Sequence, residues 1–499
     1  MARRLFRLRT VPGRVRMLTA CALLAVGGLI SVTAVGLWQA RDGLRTLGTA
    51  DGRTVIAGAG LYGALTDMDL QVTNVLLTGQ EAGWLCEPEA ADQDQAAPAD
   101  ETGQAPQDDA ACDRAPARVL YEIRRETAQQ AALAAARLAD GDPVRLGTVR
   151  AVLDGLHQYD QRVRAAMELG QQAEHPLGMP PAAAVARYRF ATALMTEELL
   201  PGAYNLTLDG QASVHAAYED RRAAARAGMV QAVVAGGLAI AILAGLQIYL
   251  GFRFRRVLNP ALAVATLGVL ALTLTSGVLL SAEARDMRVA KVGFDQALAL
   301  SRAQSIGTSM DADRGRFLLD PGNADRYDQL YLDKAQSILY LPVTKLAAYH
   351  ALLGGRLDRY GDDSRVADFG GFYGAEARTV ADRANGAQAA REPFAALLSR
   401  YGRYQRTDRQ VRELAAAGRR TDAAIAHMDP DDPTLAHRDL RAYNDGLSTL
   451  ITHHQYLTDR TVQDAQRAMT AWTWLLPAAF LVIAALIVAG VGPRLKEYR

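Results

Sequence analysis

The sequence predicts an all-α membrane protein, with four transmembrane helices and two extracytoplasmic four-helix-bundle domains that arise from an internal duplication. Three observations carry this prediction. Half the residues are hydrophobic but only 6% are aromatic, so alanine and leucine dominate and helix is favoured over sheet. Four blocks without Asp, Glu, Lys or Arg are each long enough to cross a bilayer. Short patterns recur at matching spacing in the two long segments between those blocks.

Composition narrows the function classes. The 55 Lys+Arg and 54 Asp+Glu nearly cancel, which removes any bulk electrostatic reason to bind nucleic acid. Three cysteines exclude a disulfide-dense scaffold and a four-cysteine zinc site, and no cofactor or metal is expected.

The spans are placed at 17–38, 229–250, 261–281 and 471–491. Orientation follows arginine placement. Residues 1–16 hold Arg3, Arg4, Arg7, Arg9, Arg14 and Arg16 and no acid. The connector 251–260 holds Arg253, Arg255 and Arg256, and the tail 492–499 holds Arg494, Lys496 and Arg499 against Glu497. All three are expected in the cytoplasm of a plasma-membrane protein, which an even number of spans permits. Arg221, Arg222 and Arg226 run against the rule beside the second span but do not alter that parity. Leu18-Thr19-Ala20-Cys21 spells a lipoprotein box, yet the apolar run follows the cysteine instead of preceding it, so the first span reads as an uncleaved anchor.

The outer segments are 39–228 and 282–470. Thr66-x-Met68-Asp69 is followed by Leu76-Leu77, and Thr308-x-Met310-Asp311 by Leu318-Leu319 at the same spacing. Near each end Ala-Tyr-Asn-x9-His-x4-Asp-Arg occurs, first as Ala203, Tyr204, Asn205, His215, Asp220, Arg221, then as Ala442, Tyr443, Asn444, His454, Asp459, Arg460. Leu61, Leu65, Met68, Val72 and Val75 form a heptad seam, as do Leu440, Tyr443, Leu447, Leu450, His454 and Leu457. Breakers at Gly141-Asp142-Pro143, Pro180-Pro181, Asp320-Pro321-Gly322 and Pro430–Pro433 cut each segment into about four long helices. Four helices with apolar seams make an antiparallel bundle, whose first and last helices continue into the spans. The first segment carries an insertion, 87–113, with nine acids and no Lys or Arg, which reads as a solvated loop. Cys86 and Cys112 bracket it, and outside the cytoplasm they are expected to pair as a disulfide, with two free thiols as the alternative.

No Gly-rich phosphate loop, nucleophile elbow or His-Glu-x-x-His pattern occurs, and no enzyme is expected. The cytoplasmic pieces are too short to fold into a kinase or cyclase. His215 and His454 hold matching positions, so each reads as a core histidine or as a switch buried in its bundle, the first being favoured. Asp311, Asp313, Arg314 and Arg316 are candidate contacts for a ligand or an acidic partner; a solvated helix face is the favoured alternative. Gly237, Ala241 and Gly245 form a small-residue stripe expected to pack the second span against another span or a second protomer in a homo-oligomer.

The stretch Thr308-Ser309-Met310-Asp311-Ala312-Asp313-Arg314 with Phe317-Leu318-Leu319-Asp320-Pro321, together with the tetraspan layout, resembles the actinobacterial GlnX-type membrane proteins. The layout covers the whole chain; the motif covers a dozen or so residues, and the acidic insertion is not a feature of the family. The resemblance implies that the outer part engages GlnH, a solute-binding lipoprotein for acidic amino acids, and that the signal passes to the cytoplasmic Ser/Thr kinase PknG. It transfers no site residue. The residues themselves are compatible with such a relay, with a direct chemosensor, or with an accessory subunit of a transport or envelope-assembly complex.

Overall fold

The computed structural model describes residues 11–47, 50–78, 117–139, 141–173, 175–254, 259–362, 368–382, 388–428 and 438–496. The insertion 87–113 with Cys86 and Cys112, the arginines at 3, 4, 7 and 9, and Arg255 and Arg256 lie outside the described residues. Among the described residues the chain is helical, without strands apart from one isolated antiparallel bridge between Tyr340 and Gly370. The helices are α1 (Val11–Leu47), α2 (Ala50–Thr78), α3 (Ala117–Leu138), α4 (Pro143–Gln172), α5 (Ala182–Leu194), α6 (Leu200–Phe254), α7 (Pro260–Leu319), α8 (Ala324–Ile338), α9 (Leu346–Asp362), α10 (Gly371–Asp382), α11 (Gln388–Ala416), α12 (Arg420–Met428) and α13 (Arg438–Lys496). A π turn, Met195–Leu199, joins α5 to α6.

Four of these helices contain stretches long and apolar enough to cross a membrane: α1, α6, α7 and α13. The chain divides into two compact units. The span unit comprises Met1–Gly52, Ala212–Phe294 and Gln455–Arg499; the bundle unit comprises Arg53–Gln211 and Asp295–His454.

In the span unit the core is built from small and branched aliphatic residues, among them Val26, Leu29, Ala239, Leu243, Val269 and Ile487. Polar links join the helices where lipid offers no competing partner: Thr33 donates to Ser276 at 3.1 Å, and Gln247 donates to Thr266 at 2.8 Å. Within the chain the stripe does not perform this packing, so of its two expected partners, another span or a second protomer, only the first is corrected. Gly237, Ala241 and Gly245 are exposed, and a Cβ added at Gly237 or Gly245 would meet nothing within 4 Å. The packed face of α6 is one residue away, at Ala232, Gly236, Ala239 and Leu243, where a Cβ on Gly236 would run into Thr273. The aliphatic residues filling the core on that face select it over the small-residue stripe.

In the bundle unit the first segment supplies four helical rods: α2, α3, α4 and the α5–α6 run. Asp142 caps α4 by accepting from the amides of Val144 and Arg145. The second segment departs from the four-rod expectation and is cut into seven pieces, from α7 to the start of α13. Two of the extra breaks fall at glycines in the left-handed region, Gly371 (φ 74°) and Gly418 (φ 78°); at Gly371 a Cβ would sit 2.7 Å from the carbonyl oxygens of Ser337 and Ile338.

The two segments share their interiors. One core joins Leu61, Leu65, Met68, Val72, Tyr159 and Leu206 with Leu318, Leu319, Val411 and Met428 from the second segment. The other is rich in tyrosine, with Tyr331, Tyr349, Tyr373, Tyr401, Tyr404 and Tyr443, and takes in Leu70 from the first. At the centre α2 and α7 lie against each other. A Cβ on Gly63 would meet Ser305 Oγ at 3.0 Å, and one on Gly315 would meet Thr73 Oγ1 at 2.7 Å. Both contacts pair residue i with residue i+242, so the two helices run parallel and in register. Thr66 and Thr308 are separated by the same 242 positions, so the repeated motifs face each other.

Candidate functional site

The carboxyl-terminal turns of α2 and α7 are surrounded on every side: residues 68–77 and 307–316 are buried without interruption. A helix wrapped this way should be apolar all round, yet α7 places Asp311, Asp313, Arg314 and Arg316 there, each at most 1% exposed. The solvated-face expectation for these four residues is therefore corrected. The other helices close over both faces of α7, so its charges have protein partners instead of water.

Arg316 spans the two segments. It donates to Asp69 on α2 and to Asp313 one turn back on α7, and its Nε approaches the Tyr188 hydroxyl at 3.3 Å. Asp69 is also reached by the hydroxyls of Tyr159 (2.7 Å, from α4) and Tyr188 (3.3 Å, from α5). Lys334 of α8 donates to Asp313 and to Ser309 Oγ at 2.7 Å. Arg314 pairs with Asp311, donates from Nε to His427 Nδ1 of α12 at 2.9 Å, and lies 5.4 Å from the centre of the Tyr404 ring. Asp408 of α11 accepts from Arg412 at 2.8 Å and faces His350 of α9 at 3.3 Å. Arg412 reaches Asp328 of α8 and is sandwiched by the rings of Phe317 and Tyr331 at 4.5 and 4.8 Å. At the margin Asp320 accepts both prongs of Arg189 at 2.6 and 2.7 Å, a second link between the segments.

Among the interior members the signs balance, Asp69, Asp311, Asp313 and Asp408 against Arg314, Arg316, Lys334 and Arg412, with the more exposed Asp328 as a further acid at the edge. Burial pushes the Asp313 carboxyl above the usual carboxylate range, and Lys334 offsets only part of that; burial likewise lowers the Lys334 ammonium. Burial also works against Asp408, but Arg412 and His350 outweigh it and hold that carboxyl at about 2. Burial opposes the charge on Arg314, yet Asp311 beside it raises the guanidinium pKa. Desolvation lowers Arg316 to about 10, which leaves it charged at neutral pH. Tyr159 and Tyr331 are driven well above the normal phenol range by burial, so they serve as neutral donors.

Taking ions out of water costs several kcal/mol each, repaid only in a geometry where every partner is in place. Such a network adds little net stability over an apolar interior of the same volume, whereas removal of one member leaves its partner buried and uncompensated. No group of three or more metal-ligating side chains occurs among the described residues.

The histidines at matching positions part company. His454 is buried and its Nε2 meets Glu376 at 2.9 Å. His215 is exposed, so the expectation that it lies in a seam is corrected: Val214 takes the inward position beside it. Sequence reading marked the α7 charges but missed Lys334, His427, Asp408 and Arg412. Asp69 entered only as part of a repeated pattern; it lies one residue off the apolar seam, beside Met68, so the spacing gave no signal that it is buried or that a cation meets it.

Residues 43–219 match the family model described as an actinobacterial sensor domain. No curated protein and no solved structure matches the chain. The match takes in α2 to the first half of α6, with Asp69, Tyr159 and Tyr188, and ends before the helix that supplies Arg316. It supports a sensor or signalling role.

Proposed function

We propose that this chain is a non-enzymatic transmembrane signal relay. The observation that carries the reading is the buried charge network around the in-register pair α2 and α7. It makes the arrangement of the two segments a discrete state: an outside event that separated Arg316 from Asp69 would leave Asp69 buried without a cation, Arg316 keeping Asp313 on its own helix. One helix, α7, contains both an apolar stretch long enough for a span and the charged turns at its end, so movement of those turns is movement of a span-bearing helix. In this reading the bundle unit is extracytoplasmic and both termini face the cytoplasm, as the arginine distribution requires. The resemblance to GlnX-type proteins makes the outer partner a solute-binding lipoprotein of the GlnH kind and the inner partner a Ser/Thr kinase of the PknG kind. The buried charges would then act as the latch that partner binding shifts, not as the contact surface.

In-cell crosslinking of a tagged full-length chain, followed by mass spectrometry, tests the reading. Recovery of a solute-binding lipoprotein and a cytoplasmic kinase supports it. Recovery of transporter or envelope-assembly subunits with neither of these overturns it.

A further inference from the structure

Between α9 and α11 the bundle unit has a hollow of about 470 Å³, within the size range of small-molecule sites. Three features of its lining bear on what could occupy it. The first is Gly354, in the middle of α9. A glycine there weakens the helix relative to alanine. Nothing requires it: its backbone is helical, and an added Cβ would meet no atom within 4 Å. Gly402 across the hollow is different, because its Cβ would fall 2.9 Å from Leu357 and hold the two helices apart. Gly355 beside it is equally free of contacts, but only Gly354 lines the hollow, where its missing side chain leaves the space open.

The second feature is a pair of opposite charges. Asp358 lines the α9 side and Arg406 the α11 side; both are exposed to solvent, and neither spends its charge on an ion pair or hydrogen bond among the described residues. Their neighbours are engaged: Arg356 and Arg359 with Asp368, Arg403 with Ser399, Arg409 with Glu413, and Arg412 with Asp408. The third is Tyr360, whose ring forms part of the wall and packs inward on Phe369 and Phe394, and whose buried hydroxyl has no hydrogen-bond partner.

We propose that this hollow binds a small zwitterion of amino-acid to dipeptide size. Its carboxylate lies on the Arg406 guanidinium and its ammonium on the Asp358 carboxylate. The two walls are joined beneath the hollow by the network already described, since His350 of α9 meets Asp408 of α11, two residues from Arg406. An occupant that spreads or closes the walls therefore acts on that contact. Only this signalling consequence rests on the relay reading; the site stands without it.

The test is thermal unfolding and calorimetric titration of the purified full-length chain. The probes are L-alanine, L-leucine and L-alanyl-L-alanine at millimolar concentration, against propionate and ethylammonium, which carry one charge each. At least one zwitterion is expected to raise the unfolding midpoint while the single-charge compounds do not. Arg406→Gln and Asp358→Asn each weaken binding by about tenfold or more. Gly354→Leu, which fills the hollow, abolishes it. Gly355→Leu, one residue along the same helix and outside the lining, leaves it intact and controls for folding, with circular dichroism on every variant. No shift with any zwitterion, an equal shift with propionate or ethylammonium, or binding that survives Gly354→Leu overturns the proposal. The crosslinking outcome is independent of all of these, so the two readings fail separately.

Discussion

Tyr204 and Tyr443 hold the same place in the repeated Ala-Tyr-Asn pattern, yet Tyr443 is fully buried and Tyr204 is 42% exposed. The difference is systematic. On α13 the inward residues are Tyr443, Gly446, Leu447, Leu450 and His454; on α6 they are Ala203, Leu206, Thr207, Gly210 and Val214. Counted from the alanine of each pattern, every inward position on α6 comes one residue earlier, a rotation of about 100°. The aromatic and histidine side chains that build the interior on one helix face outward on the other. The seam on the first helix also carries an irregularity. From Ala191 it advances by three successive steps of four, through Met195 and Leu199 to Ala203, and the π turn at Met195–Leu199 takes up the extra residue. Shared residue identity at a motif position thus does not imply shared environment, because a helix turned by one residue presents a different face.

The largest expected effect separates the two motif aspartates. Asp311 is paired within its own helix, whereas Asp69 depends on Arg316 from the other segment. Arg316→Met should cost about 3–5 kcal/mol, because it leaves Asp69 buried without its cation, while Asp313 keeps Lys334. Chemical denaturation of the detergent-solubilised chain measures this, and a loss under about 1 kcal/mol would mean that the segments are not held by that pair. Restoration of most of the loss by Asp69→Leu in the same chain would sharpen the assignment.

The rotation itself is tested by Tyr443→Ala against Tyr204→Ala. The first removes a ring packed on Tyr401 and Tyr404 and hydrogen-bonded to Tyr373, at a cost of about 3–5 kcal/mol. The second should cost about 1 kcal/mol or less. Equal losses would contradict the one-residue offset. The same contrast at the histidines is expected to be smaller. His454→Ala strands the Glu376 carboxylate and should cost about 3 kcal/mol, while His215→Ala stays within about 0.5 kcal/mol.

The smallest effect is a pH dependence. The folded Asp408 carboxyl is held at about 2, below its ordinary value. The fold therefore favours the ionised form. Its contribution, on the order of 2 kcal/mol, is complete above the unfolded-state pKa near 4 and is lost as pH falls towards 2. Unfolding midpoints measured across that window should drop more steeply for the parent chain than for Asp408→Asn; parallel curves would remove Asp408 from the network.

Much of the architecture was legible before any coordinates. Charge-free blocks of about twenty residues can only be read one way by length and hydropathy, and the seam Leu61, Leu65, Met68, Val72, Val75 is buried as its spacing implied. The charged stretch of α7 was visible as an anomaly, but its surroundings were not. The partners Asp69, Lys334 and His427 lie 247, 21 and 113 residues from their counterparts, and no local pattern encodes separations of that kind. The second segment's additional breaks were missed because Gly371 and Gly418 look like any other glycine until their φ angles are known.

Composition and periodicity by themselves determined that the chain is all helical, which stretches are apolar enough to span a membrane, and that two segments carry the same short patterns. Those properties depend on residues close in sequence, through backbone propensity and the three-to-four spacing of one helix face. Only the tertiary structure decided which copy of each pattern turns inward, that α2 and α7 meet in register, and that four acids and four bases share one interior. Those outcomes depend on desolvation and on rotation about helix axes, which are set by everything packed around a helix rather than by the helix itself.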